Sequence, residues 1–440
     1  MRKGLADMER RKFFQSLGLA AGSLAFFRET FGSPQQAMAS LRRSMETEDP
    51  GGERFWYVVR NQFLLPDDYA YMNTGGLGAS PYVVLENVQH GMHELEIKPR
   101  PGHSIERWNH LKKKCAALFG KGVSYKEIAL TNSTTEGNNI VINGLPLKRG
   151  DEIITSTHEH AGLNIPLLNK VKRDDVVLKT FEPDMEDGLN NVNRIEELIT
   201  ESTRLIFISH ITCTTGQLFP VTEIASLAKE KGIWFALDGA QVVGHMPIDV
   251  KEYGCDFYAT SGHKWMLGPK RTGIFYVKEE ELQNLVPTTV GAYSDDGYDL
   301  EERTLTYDPT AERYEYATQN EPLVHGLDPA IDFLNTLGMD RIWDHNRQLA
   351  EHLYHGLMEI DGVEVLSPRE EEYRTGMLTF RMTDYDYGDV AYKHMKEENI
   401  RARGVAEADL NGIRLSMHLY NSMEEVNRAL NVVRRLAESQ

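Results

Sequence analysis

The chain has 440 residues, 41% of them hydrophobic, and a formal net charge of -18 at pH 7. That length asks for more than one domain, and the acidic balance argues against nucleic acid or an anionic membrane surface as a partner. Three cysteines, Cys115, Cys213 and Cys255, are too few and too scattered for a disulfide framework or a zinc cluster.

Residues 1–39 read as an export signal. Arg10 and Arg11, followed by Lys12, Phe13 and Phe14, resemble a twin-arginine start, with Glu9 where a Ser or Thr is usual. A mild apolar stretch follows, and Ala37-Met38-Ala39 offers a small-x-small cleavage site, so the mature chain is expected to begin near Ser40. The apolar stretch is too short and too rich in Gly and Ser for stable membrane insertion. The plainer alternative is an amphipathic N-terminal helix. Residues 40–75, including "ERFWYVVRNQFLL", are expected to pack on a small C-terminal domain.

From about residue 115, short β-rich apolar runs alternate with helical stretches. The runs are "EIALTNS" (127–133), "DEIITST" (151–157), "DVVLKTF" (175–181), "RLIFISHIT" (204–212), "IWFALDG" (233–239), "DFYATSG" (256–262) and "TGIFYVK" (272–278). Apolar strands separated by helices predict an α/β domain, residues 76–330, with a mostly parallel sheet of seven strands covered on both faces. From 331 to 440 the pattern changes to a smaller α/β domain. It opens on a long helix broken at Gly338, continues through "VEVLSP", "TGMLTFRMT" and "GIRLSMHLYN" as strands, and closes on the amphipathic "MEEVNRALNVVRRLAE".

In open α/β sheets, sites form at the C-terminal ends of strands. Thr134 and Thr135 start a helix there, where unpaired N–H groups and the dipole suit a phosphate, although they also read as plain caps. Asp238 ends an apolar strand with Gln241 three residues on. His158 and His160 follow another strand, but no third ligand stands at a motif spacing, so no metal is expected. Ser261, His263 and Lys264 follow the strand "DFYATSG". Lysine is almost never buried unless it has a partner. A phosphate cradle, a strand-end acid, a flat histidine and an inward lysine together fit pyridoxal 5'-phosphate. Its aldehyde takes a lysine as a Schiff base, and desolvation lowers the lysine pKa in the required direction.

"TNSTTEGNN", "HEHAGLN", "LDGAQVVGHMPIDV" and "TSGHKWMLGP" resemble the signatures of the class V aminotransferases, over about residues 65 to 435. These are fold-type I pyridoxal phosphate enzymes that include cysteine desulfurases, selenocysteine lyases and isopenicillin N epimerases. The early "YMNTGGLGASP" looks closer to the epimerase-like branch. The resemblance implies that Lys264 carries the cofactor and then moves the α-proton. Asp238 would pair with the pyridine nitrogen, Gln241 would bond the phenolic oxygen, and His160 would stack on the ring. Thr134, Thr135, Ser261 and His263 would hold the phosphate. Thr318 would reach the phosphate of a neighbouring subunit, which implies a homodimer; Ala317 stands where a glycine is usual. Arg414 would grip a substrate carboxylate. Within "GIRLSMHLYN", Ile413, Leu415, Met417 and Leu419 share one face and Arg414, Ser416 and His418 the other.

The sequence departs from the desulfurases at the loop before the final strand. "RARGVAEADLNG" has no cysteine there. Cys115 and Cys255 read as lying in helix and strand, and Cys213 stands where desulfurases carry asparagine. Persulfide-type desulfuration is therefore not expected. The reading preferred from sequence is a reaction at the α-carbon of an amino acid or small peptide, epimerase-like or aminotransferase-like. A C–S lyase without a persulfide cysteine is one alternative, and a non-catalytic protein of the same fold is another. Arg100, His103 and Tyr293 are expected near the entrance.

Overall fold

The computed structural model describes residues 34–47, 52–100 and 102–439. The arginine pair and apolar stretch of the expected export signal lie outside those residues. Ala37, Met38 and Ala39 fall within the helix Pro34–Thr47, and Leu41 of that helix is buried.

All seven apolar runs form one sheet. Its strands are β1 (Ile128–Thr131), β2 (Glu152–Ser156), β3 (Val177–Phe181), β4 (Thr203–Ser209), β5 (Trp234–Asp238), β6 (Phe257–Ser261) and β7 (Gly273–Val277), in the spatial order β1-β7-β6-β5-β4-β2-β3. The pairings β2–β3, β2–β4, β4–β5 and β5–β6 are parallel. β7 lies antiparallel to both β6 and β1. Two reversals leave β1 parallel to the rest, so its C-terminal end emerges on the same edge as theirs. The central strands are buried on both faces, which is why they read as unbroken apolar runs rather than as alternation.

Two apolar clusters sandwich this sheet and a third belongs to a second sheet. The second sheet contains β8 (Val363–Val365), β9 (Met377–Met382), β10 (Arg403–Val405) and β11 (Gly412–Ser416), in the order β8-β9-β11-β10, with every pairing antiparallel. β10 is a strand the sequence reading did not pick out. The long helix is broken where expected: Leu327–Leu337 and Met339–Met358 meet at Gly338, whose φ of 88° is open to glycine but strained for other residues. The boundary expected between residues 330 and 331 falls inside the first of these helices. That helix packs on the first core through Ile331, Phe333, Leu334 and Leu337. The second helix gives Leu349, Ala350, Leu353 and Leu357 to the other core.

The N-terminal segment ties both bodies together. Phe55, Trp56, Val59 and Phe63 join the first core, while Ala70 and Met72 join the second. Trp56 stacks on His345 with ring centroids 3.9 Å apart, and Arg60 pairs with Glu425 at 3.0 Å. Among the described residues no helix is long and apolar enough to cross a membrane.

Candidate active site

The C-terminal ends of β1, β2, β4, β5 and β6 converge on a cavity of about 210 Å³. At about 30 Å³ per liquid water, that is room for several waters or one small organic molecule. Of the cofactor- and carboxylate-binding residues implied by the resemblance, all but Thr318 line it: Thr134, Thr135, His160, Asp238, Gln241, Ser261, His263, Lys264 and Arg414.

One end is built from the start of α1 (Thr134–Gly144). Ser133 caps this helix by accepting from the Glu136 N–H at 3.3 Å. Thr134 is buried, and its N–H donates to the Ser261 hydroxyl at 3.1 Å while the two hydroxyls lie 2.6 Å apart. This joins the helix start to the end of β6. The Nδ1 atom of His263 is buried there without a partner. A Cβ added at Gly162 would lie 2.7 Å from the Thr135 hydroxyl and 3.1 Å from His160 Nδ1, so the space beside them exists because Gly162 has none.

Asp238 ends β5 as a buried carboxylate. One oxygen accepts from Asn138 Nδ2 at 2.8 Å and the other from the Ala240 N–H at 3.0 Å. Gln241 donates to the Gly75 carbonyl at 3.0 Å and accepts from the Trp265 indole at 2.8 Å. His160 caps α2 (Ala161–Asp174), its Nδ1 accepting from the Gly162 N–H at 2.9 Å. Burial, and then the nearby Lys264, lower its pKa, so the ring is neutral near pH 7. His158 turns to Glu182, 3.0 Å away, and is not part of the cavity.

Lys264 follows β6 in a turn and keeps part of its surface open to the cavity. Desolvation pulls its pKa down to about 8. The Asp238 carboxylate acts in the opposite direction, and Arg414 and Arg403 reinforce the fall. The neutral amine is therefore far more populated near neutral pH than in an ordinary lysine.

Arg414 is 1% exposed on β11, which rules out a surface strand arginine. It donates to the Cys213 carbonyl at 2.5 Å and to Asn73 Oδ1 at 3.0 Å, and its buried Nε has no partner. Burial, and then Arg403, lower its pKa to about 9, so it remains charged at neutral pH. Both faces of β11 are buried, because the polar face carrying Arg414, Ser416 and His418 packs inward.

Several contributors were missed from sequence. Arg403 sits directly opposite Arg414 in the β10–β11 register, donates to the same Cys213 carbonyl at 3.3 Å, and forms a close ion pair with Glu407. Its signal was the residue spacing in "RARGV", which is readable only once that stretch is known to be a strand. Gly75, Gly76 and Ser209 also line the cavity. Glu159 lies behind Ser209 and accepts from the Ser209 N–H at 3.0 Å and the Ser156 hydroxyl at 2.6 Å. Its burial raises its pKa to about 7.

Four other residues named from the sequence lie outside this chain's own cavity. Thr318 is exposed and outside the cavity; its neighbour Ala317 has φ 59°, the conformation a glycine would hold without strain. Arg100, His103 and Tyr293 do not line the cavity. Arg100 pairs with Glu321 at 2.9 Å, and His103 stacks on Trp108 at 4.1 Å and leans on Tyr293. Cys115 and Cys255 are both buried. Cys115 is in the helix Ile105–Leu118, but Cys255 precedes β6 rather than lying within it.

The sequence model of the family described as "Aminotransferase class-V" matches residues 84–429. A probable cysteine desulfurase of Halalkalibacterium halodurans is 31% identical over 394 residues, covering 84% of this chain and 94% of its own length. Two solved structures are of the protein called C-DES. One is a lysine-to-alanine variant with glycine covalently linked to the PLP cofactor: 26% identity, TM-score 0.78, covering 86% of this chain and 99% of that one. The other is described as the cystine C-S lyase C-DES with its reaction product cysteine persulfide: 26% identity, TM-score 0.76, covering 84% and 98%.

Proposed function

The chain belongs to the aminotransferase class-V family, and from that premise we propose that it is a lyase that breaks the carbon–sulfur bond of a cysteine-type amino acid without an enzyme-bound persulfide. Its cofactor is pyridoxal 5'-phosphate. The cavity fits that group: a partnerless buried His263 Nδ1 beside two threonines, a buried acid on β5, and a lysine with a lowered pKa.

The bound cofactor supplies an electron sink for the pair of electrons left when an amino acid loses its α-proton. The chain's residues do the rest. Thr134, Thr135, Ser261 and His263 would hold the phosphate at the start of α1. Asp238, kept in place by Asn138 and the Ala240 N–H, would hold a proton on the pyridine nitrogen. Arg414 would fix the substrate carboxylate through its unpartnered N–H groups. Lys264, once its amine is neutral, would take the α-proton. The Cβ–S bond would then break, sulfur leaving with the bonding pair as hydrosulfide from cysteine or as the cysteine persulfide anion from cystine, and the remaining fragment would take up water to give a 2-oxo acid and ammonia.

One observation sets this reading apart from a persulfide relay. The segment that would bear a persulfide cysteine holds Glu407 against Arg403 instead. Cys213, the cavity's only cysteine among the described residues, has its thiol pKa raised by burial. The activities for which those relatives are named favour carbon–sulfur cleavage over the epimerisation or transamination preferred from sequence. The test is to incubate the purified protein with L-cysteine and L-cystine and measure sulfide or persulfide together with 2-oxo acid. Loss of chirality or α-proton exchange in heavy water, with no 2-oxo acid formed, would restore the epimerase reading.

A homodimer belongs to the same proposal. Thr318, exposed and away from its own cavity, would complete the phosphate site of a second copy. Light scattering checks this, and a monomer that holds its cofactor fully would refute it. Export of the folded protein is the remaining part, supported by Arg10, Arg11 and the apolar stretch after them. Fractionation of cells with and without an Arg10→Lys, Arg11→Lys pair checks it.

A further inference from the structure

We propose that Trp265 is a positioning residue whose indole N–H fixes the amide of Gln241, so that Gln241 turns an N–H rather than its oxygen toward the bound cofactor. This rests on the pyridoxal phosphate site but not on the class of reaction.

The orientation of a glutamine amide is set by its hydrogen-bond partners. Here two partners set it independently. The Trp265 Nε1–H can only donate, and it meets Gln241 Oε1 at 2.8 Å. The Gly75 carbonyl can only accept, and it meets Gln241 Nε2 at 3.0 Å. A flipped amide would set oxygen against oxygen at Gly75 and N–H against N–H at the indole. Gln241 Nε2 carries a second N–H, and Gln241 lines the cavity. That N–H is the one left for a cavity ligand.

Trp265 is itself held on three sides. It is fully buried and stacks on His245, with ring centroids 3.6 Å apart and planes 2° from parallel. Its carbonyl accepts from His418 Nε2 at 3.0 Å. His245 donates from Nδ1 to the Gln241 carbonyl at 3.0 Å and accepts at Nε2 from the Gly376 N–H at 3.0 Å. Those two bonds need the neutral ring. Burial lowers its pKa to about 3, so it stays neutral across the working range. Gly376 and His418 come from the ends of β9 and β11. The indole thus sits where both sheets meet, one residue after Lys264, and cannot turn its N–H elsewhere.

An N–H donated to the cofactor's phenolic oxygen withdraws electron density and favours the deprotonated chromophore. Losing the indole N–H frees the amide and weakens that donation, so the chromophore should hold its proton to higher pH. The experiment titrates the visible band of the cofactor-loaded protein, parent against variants. Trp265→Phe keeps a ring; replacing Trp265 with β-(3-benzothienyl)alanine keeps its shape and removes only the N–H. The expected result is a midpoint raised by about half a pH unit to one unit, and roughly three- to tenfold weaker cofactor binding. In a Gln241→Leu background the same replacement should shift the midpoint little further, because Trp265 acts through Gln241. A purely structural role would weaken binding without moving the midpoint. If Trp265→Phe does not fold, the isosteric replacement gives the answer. A titration that overlays the parent's, or a shift undiminished in the Gln241→Leu background, overturns the inference. A parent protein that takes up no chromophore overturns the cofactor site itself, and this inference with it.

Discussion

The lowered pKa of Lys264 gives a direct measurement on the cofactor-free protein. Covalent capture of the aldehyde requires the neutral amine. Moving that pKa from 10.5 to about 8 raises the neutral fraction at pH 7 by roughly 300-fold over an ordinary lysine. The rate of capture should therefore climb about tenfold per pH unit below pH 8 and flatten above it. Stopped-flow absorbance after mixing apo-protein with pyridoxal phosphate reads this directly. The cofactor's second phosphate ionisation, near pH 6, lies below the expected break. The causes of the shift supply internal controls. The Asp238 carboxylate holds the ammonium form, so Asp238→Asn should move the break below pH 8. The Arg414 guanidinium opposes the ammonium form, so Arg414→Met should move it up. Lys264→Ala should give no covalent capture at all. A rate that keeps climbing past pH 9.5 would mean that Lys264 is an ordinary solvated lysine, and would refute desolvation as its main feature.

Two further outcomes follow from the same geometry. Arg414→Lys should weaken amino-acid binding, read by the change in the visible band, about 10- to 100-fold, because a charge-assisted, two-pronged contact becomes a single one worth about 1.5–3 kcal/mol less; loss of the cofactor with amino-acid affinity retained would assign Arg414 a different role. Gly75→Ala would set a Cβ 2.8 Å from Met377 Sδ and 3.1 Å from both Arg414 Nη2 and Gln241 Oε1, so cofactor and amino-acid affinity should fall together while far-ultraviolet circular dichroism is unchanged, and parental affinities would show that this segment gives way freely.

The parts of this fold that were legible in the sequence are those encoded locally. The seven strand runs announce themselves because a sheet covered on both faces needs unbroken apolar residues. The residues at their ends are polar against that background, so Asp238, Ser261 and Thr134 could be read as a site. What escaped is set by long-range pairing. Arg403 enters the cavity only because β10 pairs with β11 in a register that puts it opposite Arg414. Asn138 meets Asp238 across 100 residues, and Asn73 meets Arg414 across 341. No local pattern marks such partners. Arg100, His103 and Tyr293, expected near the entrance, do not line the cavity. The structure uses them to pack a loop against the helix Ile105–Leu118 and the segment around Glu321.

The arrangement around Cys213 bears on how sulfur would leave. A persulfide relay needs a thiolate that can swing from the substrate to an acceptor outside. Cys213 has neither property. Its carbonyl is held by both Arg414 and Arg403, which pins the backbone. Its side chain is 2% exposed, and burial raises the thiol pKa despite two guanidiniums nearby. The thiolate, not the thiol, is the nucleophile, so a cysteine that burial keeps as the thiol is inert. The loop before β11, where the resemblance would place such a cysteine, holds none, and Glu407 there is a carboxylate already committed to Arg403. In the proposed reaction the chain's own groups would bind a carboxylate, hold a ring and move an α-proton, and among the described residues the cavity offers sulfur no exposed thiol to land on. In this reading sulfur passes to solvent as a small anion, which is why the assay must look for free sulfide or persulfide and not for a modified cysteine.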